Sequence, residues 1–300
     1  MTEEIKHISV CICTYKRPDF LKRLLDKLCD QETGGVFTYS IVVADNDRLQ
    51  SAEALVSQCA DASPIPVVYC VEPRRGIAFA RNRAVENTAG DFVAFIDDDE
   101  FPDRYWLLTL FKACKEYDAD GVLGPVRPHF DAGAPKWVVR GKFYTRPTYP
   151  TGFVLDWRRT RTGNLLLRKS LFPAGEQAFR PEFRSGEDQD FFRRMIDKGH
   201  KFVWCDEAGV SEAVPPVRWK RTVILRKMLL IGACYTLHPT GKFELFKSVV
   251  AVPVYAAALP FALILGHHRF MTLLVKLSYH LGILLALLGI NPIREPYVTE

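Results

Sequence analysis

Apolar and polar positions alternate on two scales along this chain. Short apolar runs of strand length fall at residues 8–13, 40–44, 67–71, 92–96, 121–123, 165–167 and 202–204, with longer mixed stretches between them. One mixed stretch has clear helical spacing: Leu21, Leu24, Leu25 and Leu28 stand at i, i+3, i+4 and i+7, a single apolar face over residues 20–29. Continuous apolar strands recurring between helices predict an α/β chain, with an open, mostly parallel sheet covered by helices on both faces. Residues 125–162 break the rhythm, being rich in Pro, Gly and aromatic side chains, and predict a long loop region over a site.

Beyond Pro215 and Pro216 the pattern changes again, dividing the chain into 1–215 and 216–300. A basic amphipathic helix is predicted over residues 218–235, followed by two apolar segments at 248–265 and 270–290. The first segment has eighteen uncharged residues; as a helix it reaches about 27 Å, close to the roughly 30 Å hydrocarbon core of a bilayer. Pro253 and Pro260 are expected to kink it, and Lys276 and His280 interrupt the second. His267, His268 and Arg269 would form the link of a helical hairpin. Two buried helices packing on the main domain also match this pattern, but the length and apolarity favour membrane insertion or surface docking. If the hairpin crosses, the basic residues before Ser248 and Arg294 after Ile290 share one side, which the positive-inside rule makes cytoplasmic.

Composition sharpens this picture. With 300 residues, 48% of them hydrophobic and 25% charged, the chain is neither disordered, collagen-like nor a coiled coil. Its net charge of +5 is not evenly spread: residues 211–300 hold ten basic and four acidic side chains, which leaves the first 210 residues at −1. A near-neutral front with a basic, apolar tail points to an anionic membrane surface and not to a nucleic acid. Eight cysteines include no C-x-x-C pair, so no zinc site is signalled, and Cys11 and Cys13 lie inside an apolar run as free thiols suited to a reducing compartment. The acidic start at Met1 lacks the basic and apolar regions of a secretory signal, in keeping with the cytosol.

The strongest chemical signal is the strand at 92–96, which ends abruptly in Asp97, Asp98, Asp99 and Glu100. Carboxylates packed together repel one another, and alone such a run also describes a solvated turn. In open α/β sheets, however, ligands bind beyond the carboxyl ends of the strands. There a hard divalent cation can take the carboxylate oxygens and neutralise a diphosphate. Asp45 and Asp47 follow a second apolar strand, where a plain turn is the alternative, and Glu187, Asp188 and Asp190 open a third segment, where acidic residues also suit a helix start. Between them, Arg74, Arg75, Arg81 and Arg83 surround a glycine before a helical pattern, as a solvated helix face or as recognition of a phosphorylated ligand.

Five stretches occur in order: SVCICTYKRP at 9–18, VVADND at 42–47, GIAFARNR at 76–83, GDFVAFIDDD at 90–99 and GEDQDF at 186–191. Together they resemble the motifs of family 2 inverting glycosyltransferases with the GT-A fold, over roughly residues 7–215. Residues 42–47, 94–100 and 122–127 most resemble bacterial exopolysaccharide glucosyltransferases of the succinoglycan type. The resemblance implies that Thr14 and Asp45 contact the nucleotide base and that Arg17, Arg81 and Asp98 belong to the nucleotide-sugar site. It further implies that Asp97 lies on the ribose or the metal, that Asp99 is the principal ligand of Mg²⁺ or Mn²⁺, and that Gly163 and Asn164 lie beside the donor sugar. Asp188 would be the general base that takes a proton from the acceptor hydroxyl. The chemistry agrees, because a sugar hydroxyl is a poor nucleophile and a departing nucleoside diphosphate needs charge stabilisation.

Family members often carry a metal-assisting His after the last strand, whereas this chain has Ser211 there, followed by Glu212. No third protein ligand is therefore expected. Trp137, Tyr144 and Trp157 are either packing residues or stacking faces in an acceptor groove. The expected activity is transfer of a hexose, glucose or galactose, from a UDP-sugar to a lipid-linked (polyprenyl diphosphate) saccharide in bacterial surface polysaccharide assembly, at the cytoplasmic face of the inner membrane. The rival expectations are a metal-dependent nucleotidyl or phosphoryl transferase and a non-catalytic membrane subunit of an assembly complex.

Overall fold

The computed structural model describes residues 5–238, 242–291 and 293. The acidic start at residues 1–4 and Arg294, both used in the sequence argument, lie outside them. In chain order the elements are β1 (Lys6–Thr14), α1 (Pro18–Leu28), β2 (Phe37–Asp45), α2 (Glu53–Ala62), β3 (Val67–Val71), α3 (Ile77–Glu86), β4 (Phe92–Phe95) and β5 (Glu100–Pro102). There follow α4 (Trp106–Glu116), β6 (Gly121–Leu123), β7 (Val126–His129), α5 (Lys136–Gly141), β8 (Leu165–Arg168), α6 (Glu187–Asp197), β9 (Phe202–Trp204) and β10 (Val210–Ala213). Helices α7 (Arg221–Tyr235), α8 (Lys242–Ile264) and α9 (His267–Leu287) complete the chain. Each predicted strand run falls on a strand of the structure. Residues 125–162 differ from the expected loop, because β7, α5 and a single 3-10 turn at Trp157–Arg159 order parts of them.

The chain forms two compact units, one of residues 1–128, 146–181 and 187–213, the other of residues 129–145, 182–186 and 214–300. In the first, a seven-stranded sheet has the order β3-β2-β1-β4-β8-β6-β9. Only β8 runs against its neighbours, so the sheet is mostly parallel as expected. Period-two alternation sorts each strand's side chains between two cores. Val10, Ile12, Ile41 and Val43 face the layer of α1, α2 and α4, where Leu21, Leu24, Leu25 and Leu28 are at most 1% exposed. Burial of each such leucine stabilises the fold by roughly 1.5–3 kcal/mol. Cys11, Val42, Ala44, Val93 and Phe95 face the opposite layer of α3 and α6, with Phe191 and Phe192.

The order of strands locates the site. From β1 the chain builds outward through β2 to β3 and then returns to lay β4 on the other side of β1. That reversal opens a crevice at the carboxyl ends of β1 and β4, where open α/β sheets bind ligands. A smaller sheet, β5-β10-β7, starts directly from the acidic turn, with Glu212 on β10 opposite Glu100 on β5.

In the second unit the basic side chains of α7 gather toward its first two turns, at Arg221, Arg226 and Lys227, ahead of an apolar second half. Charge and apolarity thus separate along this helix more than around it, unlike the amphipathic face expected. Helices α8 and α9 form the expected hairpin, but its link is Leu265 and Gly266; His267, His268 and Arg269 already belong to α9. Gly266 has φ +116°, a conformation open to glycine at no steric cost. Ser248 and His280, both buried, hydrogen-bond across the hairpin at 3.0 Å. Helices α7 and α9 meet at glycines: a Cβ on Gly232 would stand 2.0 Å from the Tyr279 carbonyl oxygen, and one on Gly282 would stand 2.3 Å from that of Leu229. Small residues permit such close backbone approach. Gly282→Val is expected to destabilise this helix packing by roughly 1–3 kcal/mol, read as faster proteolysis within α7–α9 with the sheet unit's resistance unchanged.

Candidate active site

The last ladder bond between β1 and β4 runs from Ile96 N to the Cys11 carbonyl at 3.2 Å, and the chain then turns through residues 97–100. The turn is closed by Glu100 N donating to the Asp97 carbonyl at 3.0 Å, and Asp97 N donates to Glu100 Oε2 at 3.2 Å. Thr14, at the end of β1, spans the crevice, its Oγ1 donating to Asp98 Oδ2 at 2.9 Å. Arg17 Nη1 donates to Asp98 Oδ1 at 3.1 Å and to Asp99 Oδ2 at 3.3 Å. Asp98 and Asp99 are buried, whereas the Asp97 side chain is 40% exposed and opens into the crevice.

Arg81 joins the acidic turn to α6. Its guanidinium is buried, pairs with Glu187 through Nη1, and lies 3.7 Å from Asp97 Oδ1 through Nη2. Asn46 fixes the start of its helix: Oδ1 accepts from Gly76 N at 2.9 Å, while Nδ2 donates to the carbonyls of Glu72 and Arg74, each at 2.8 Å. One residue beyond Glu187, Asp188 accepts from Thr162 N at 3.2 Å and from Gln189 N at 2.7 Å, which fixes the direction of its carboxylate. Asp190, two residues on, is fully buried among Arg180, Arg193 and Arg194 and anchors the helix.

Burial raises the acid pKa values here. Asp98 is pushed up to about 7 by desolvation, against the pull of Arg17 and with the added repulsion of Asp99. Desolvation likewise raises Glu187 to about 7, opposed by Arg81. Glu100 is held well above the usual carboxylate range by burial and by its neighbours Asp97 and Glu212. Two further arginines balance this charge. Arg146 lies 3.4 Å from Glu212. Arg161 is half-buried with its Nε buried and unpartnered, and desolvation followed by Arg146 lowers it to about 10, against the pull of Glu100, Asp188 and Glu212.

The model of glycosyl transferase family 2 matches residues 9–173, more than half of the chain. The chain belongs to this family. Succinoglycan biosynthesis protein ExoM of Rhizobium meliloti (strain 1021) is 32% identical to it, over 98% of this chain and 97% of the relative. The mannosyltransferase PcManGT of Pyrobaculum calidifontis, solved with GDP-Man and Mn²⁺, superposes with a TM-score of 0.66 at 17% identity, over 96% of this chain and 88% of that one. S. aureus TarS 1–349, solved with UDP-GlcNAc, gives 0.54 at 14% identity, over 95% and 93%. The fold is thus that of GT-A glycosyltransferases, and the chain is a glycosyltransferase of family 2.

For this glycosyltransferase the structure gathers Thr14, Arg17, Arg81, Asp97, Asp98 and Asp99 at one sheet edge. Gly163 backs the acidic turn, since a Cβ there would stand 2.9 Å from Glu100 Oε1 and 3.1 Å from Asp97 Oδ2. Asp45 is fully buried, its oxygens accepting from Asp47 N, Ala52 N and the Tyr69 hydroxyl, so it organises the loop after β2. Asn164 is held by its surroundings. It is 0% exposed, accepts from Trp106 Nε1 at 2.7 Å and donates to the carbonyls of Pro125 and Ala208 at 2.9 and 2.7 Å, which uses both of its N–H donors. Trp137 and Tyr144, both half-buried, make contacts within the helical unit, against Phe143, His267 and Arg221 and against Phe130 and the Arg218 carbonyl. Trp157 is half-buried against the α6 core layer.

Asp97, Asp99 and Glu100 offer only carboxylate oxygens, and Glu100 Oε1 is buried without a hydrogen-bond partner, a donor set that fits a hard divalent cation. Among the described residues no three His, Cys, Asp or Glu side chains converge as a complete cage. Ser211 is exposed on β10, and Glu212 turns inward to Arg146. Arg146 and Arg161 escaped the sequence argument, and Glu187 entered it only as part of an acidic segment; the one local sign of the arginines was the basic run Arg158, Arg159 and Arg161 just before Gly163. Asn164→Ala is expected to leave Trp106 Nε1 and two carbonyls unpaired, at a cost of roughly 1–3 kcal/mol per group. Thermal unfolding should show that loss, with UDP affinity of the folded protein unchanged.

Proposed function

We propose that the chain is an inverting hexosyltransferase that moves a hexose from a UDP-sugar to a lipid-linked saccharide at the cytoplasmic face of a bacterial membrane. Residues 1–215 carry the nucleotide-sugar site and the residues from 216 onward the membrane association. The observation that carries this proposal is Arg81, which holds the acidic turn and the start of α6 together and so sets Asp97 and Asp188 around one opening.

In this reading Thr14, Arg17 and Asp98 shape the nucleotide pocket, with Asp45 behind it. Asp97 and Asp99 would hold Mg²⁺ or Mn²⁺, which when bound offsets the charge of the donor's diphosphate. Arg81 and Arg161 add positive charge toward the same diphosphate. Asp188, fixed by two backbone N–H groups, takes the proton of the acceptor hydroxyl as its oxygen attacks the anomeric carbon. The bond to the UDP oxygen breaks on the opposite face, and a single displacement without a covalent enzyme intermediate inverts the anomeric configuration. The lipid-linked acceptor is supported by two helical stretches, Leu245–Ile264 and His267–Leu287, long and apolar enough to cross a membrane, the first of them mostly exposed.

Asp188→Asn should lower UDP release from the productive UDP-sugar by roughly 10²–10⁴-fold, while equilibrium binding of that donor survives; an equal loss of binding would remove Asp188 from the role of base. Asp99→Ala should weaken UDP binding measured during a Mn²⁺ titration, and an unchanged titration would remove it as a ligand.

A further inference from the structure

The helical unit is built from three chain segments, residues 129–145, 182–186 and 214–300. The first meets the α8–α9 hairpin at its link. Trp137 on α5 packs edge-on to His267 at the start of α9, ring centroids 5.3 Å apart, and Arg221 lies over the Trp137 ring at 5.8 Å. The second segment meets the opposite end. Phe183 packs on His238, just beyond α7, with centroids 4.9 Å apart, and Arg184 donates to the carbonyl of Ile293, beyond α9. Because α9 has 21 residues, these two anchor points are separated by about 30 Å, the thickness of a bilayer's hydrocarbon core.

A hairpin that spanned the membrane would put residues 129–145 on one side and residues 182–186 on the other. The chain between them, 146–181, contains β8, and the chain that follows, 187–213, contains α6, β9 and β10. Both stretches belong to the sheet unit. Neither can thread a bilayer, since strand and loop backbone would lie in hydrocarbon without hydrogen-bond partners. Connectivity therefore opposes a crossing although the helices are long enough for one.

Building on the membrane-associated reading above, we propose that the α8–α9 hairpin lies in the plane of an anionic bilayer surface, with both of its ends on the same side. Phe246, Val250, Val254, Phe261 and Ile264 recur at helical spacing along one side of α8 and are 46–84% exposed, an apolar stripe running the length of the helix. Arg226, Lys227, Arg269 and Lys276 supply positive charge, and Glu244 is the single acidic residue in the sequence between positions 213 and 294. That balance complements anionic headgroups.

The test is side-specific labelling of the full chain in its native membrane with a membrane-impermeant polyethylene-glycol maleimide. Arg269→Cys reports on the link end and Asn291→Cys on the other; both positions are exposed, and signal is read above the wild-type background. Labelling of both cysteines in inside-out vesicles, and of neither in intact spheroplasts, is expected. Labelling of one of the two in spheroplasts would overturn the in-plane orientation and establish a crossing while leaving membrane association standing. Recovery of the wild-type protein entirely in the soluble fraction would overturn membrane association itself.

Discussion

Carboxylates crowded at the end of a buried strand repel one another, and the turn at 97–100 holds because four arginines from three separate parts of the chain reach it. Arg17 enters from the loop after β1 and Arg81 from α3. Arg146 and Arg161 act from the stretch before β8. Burying such charges without partners would cost several kcal/mol each. The arrangement therefore exists only when β1, α3, β8 and the start of α6 are all in place, and the site is a consequence of the tertiary fold more than of any local motif. Arg81 has the widest reach of the four, because it spans from Asp97 to Glu187 and so fixes the distance between the strand-end acids and Asp188.

The same constraint explains how much was legible beforehand. Strands were plain because a sheet covered on both faces demands continuous apolar runs, and α1 was plain because its four leucines share one face. The acidic turn was visible because four acids directly after such a run have few structural reasons to be there. The burial of Asn164 was not legible, because a motif position says nothing of it: its amide bonds Trp106 and two carbonyls. Arg146, Arg161 and the pairing of Glu187 with Arg81 were missed because they depend on partners far away in sequence, Arg81 being 106 positions from Glu187. The hairpin link was set two residues too late, since a Gly266 that permits the reversal is a weaker local signal than three polar residues in a row.

Membrane attachment shows a related division between local and long-range information. Length and hydropathy alone describe α8 and α9 as possible spans, and the local pattern sets only Pro253, Pro260, Lys276 and His280 against it. The opposing information is topological: segments 129–145 and 182–186, remote in sequence, pack at opposite ends of the helices.

The central claim is a single displacement at the anomeric carbon, driven by one carboxylate base opposite the departing diphosphate. Its most direct test is the anomeric configuration of the first product, read from proton coupling constants in NMR after reaction of the productive UDP-sugar with native lipid-linked acceptor. Inversion relative to the donor is predicted. Retention would contradict the account, because it requires a second displacement.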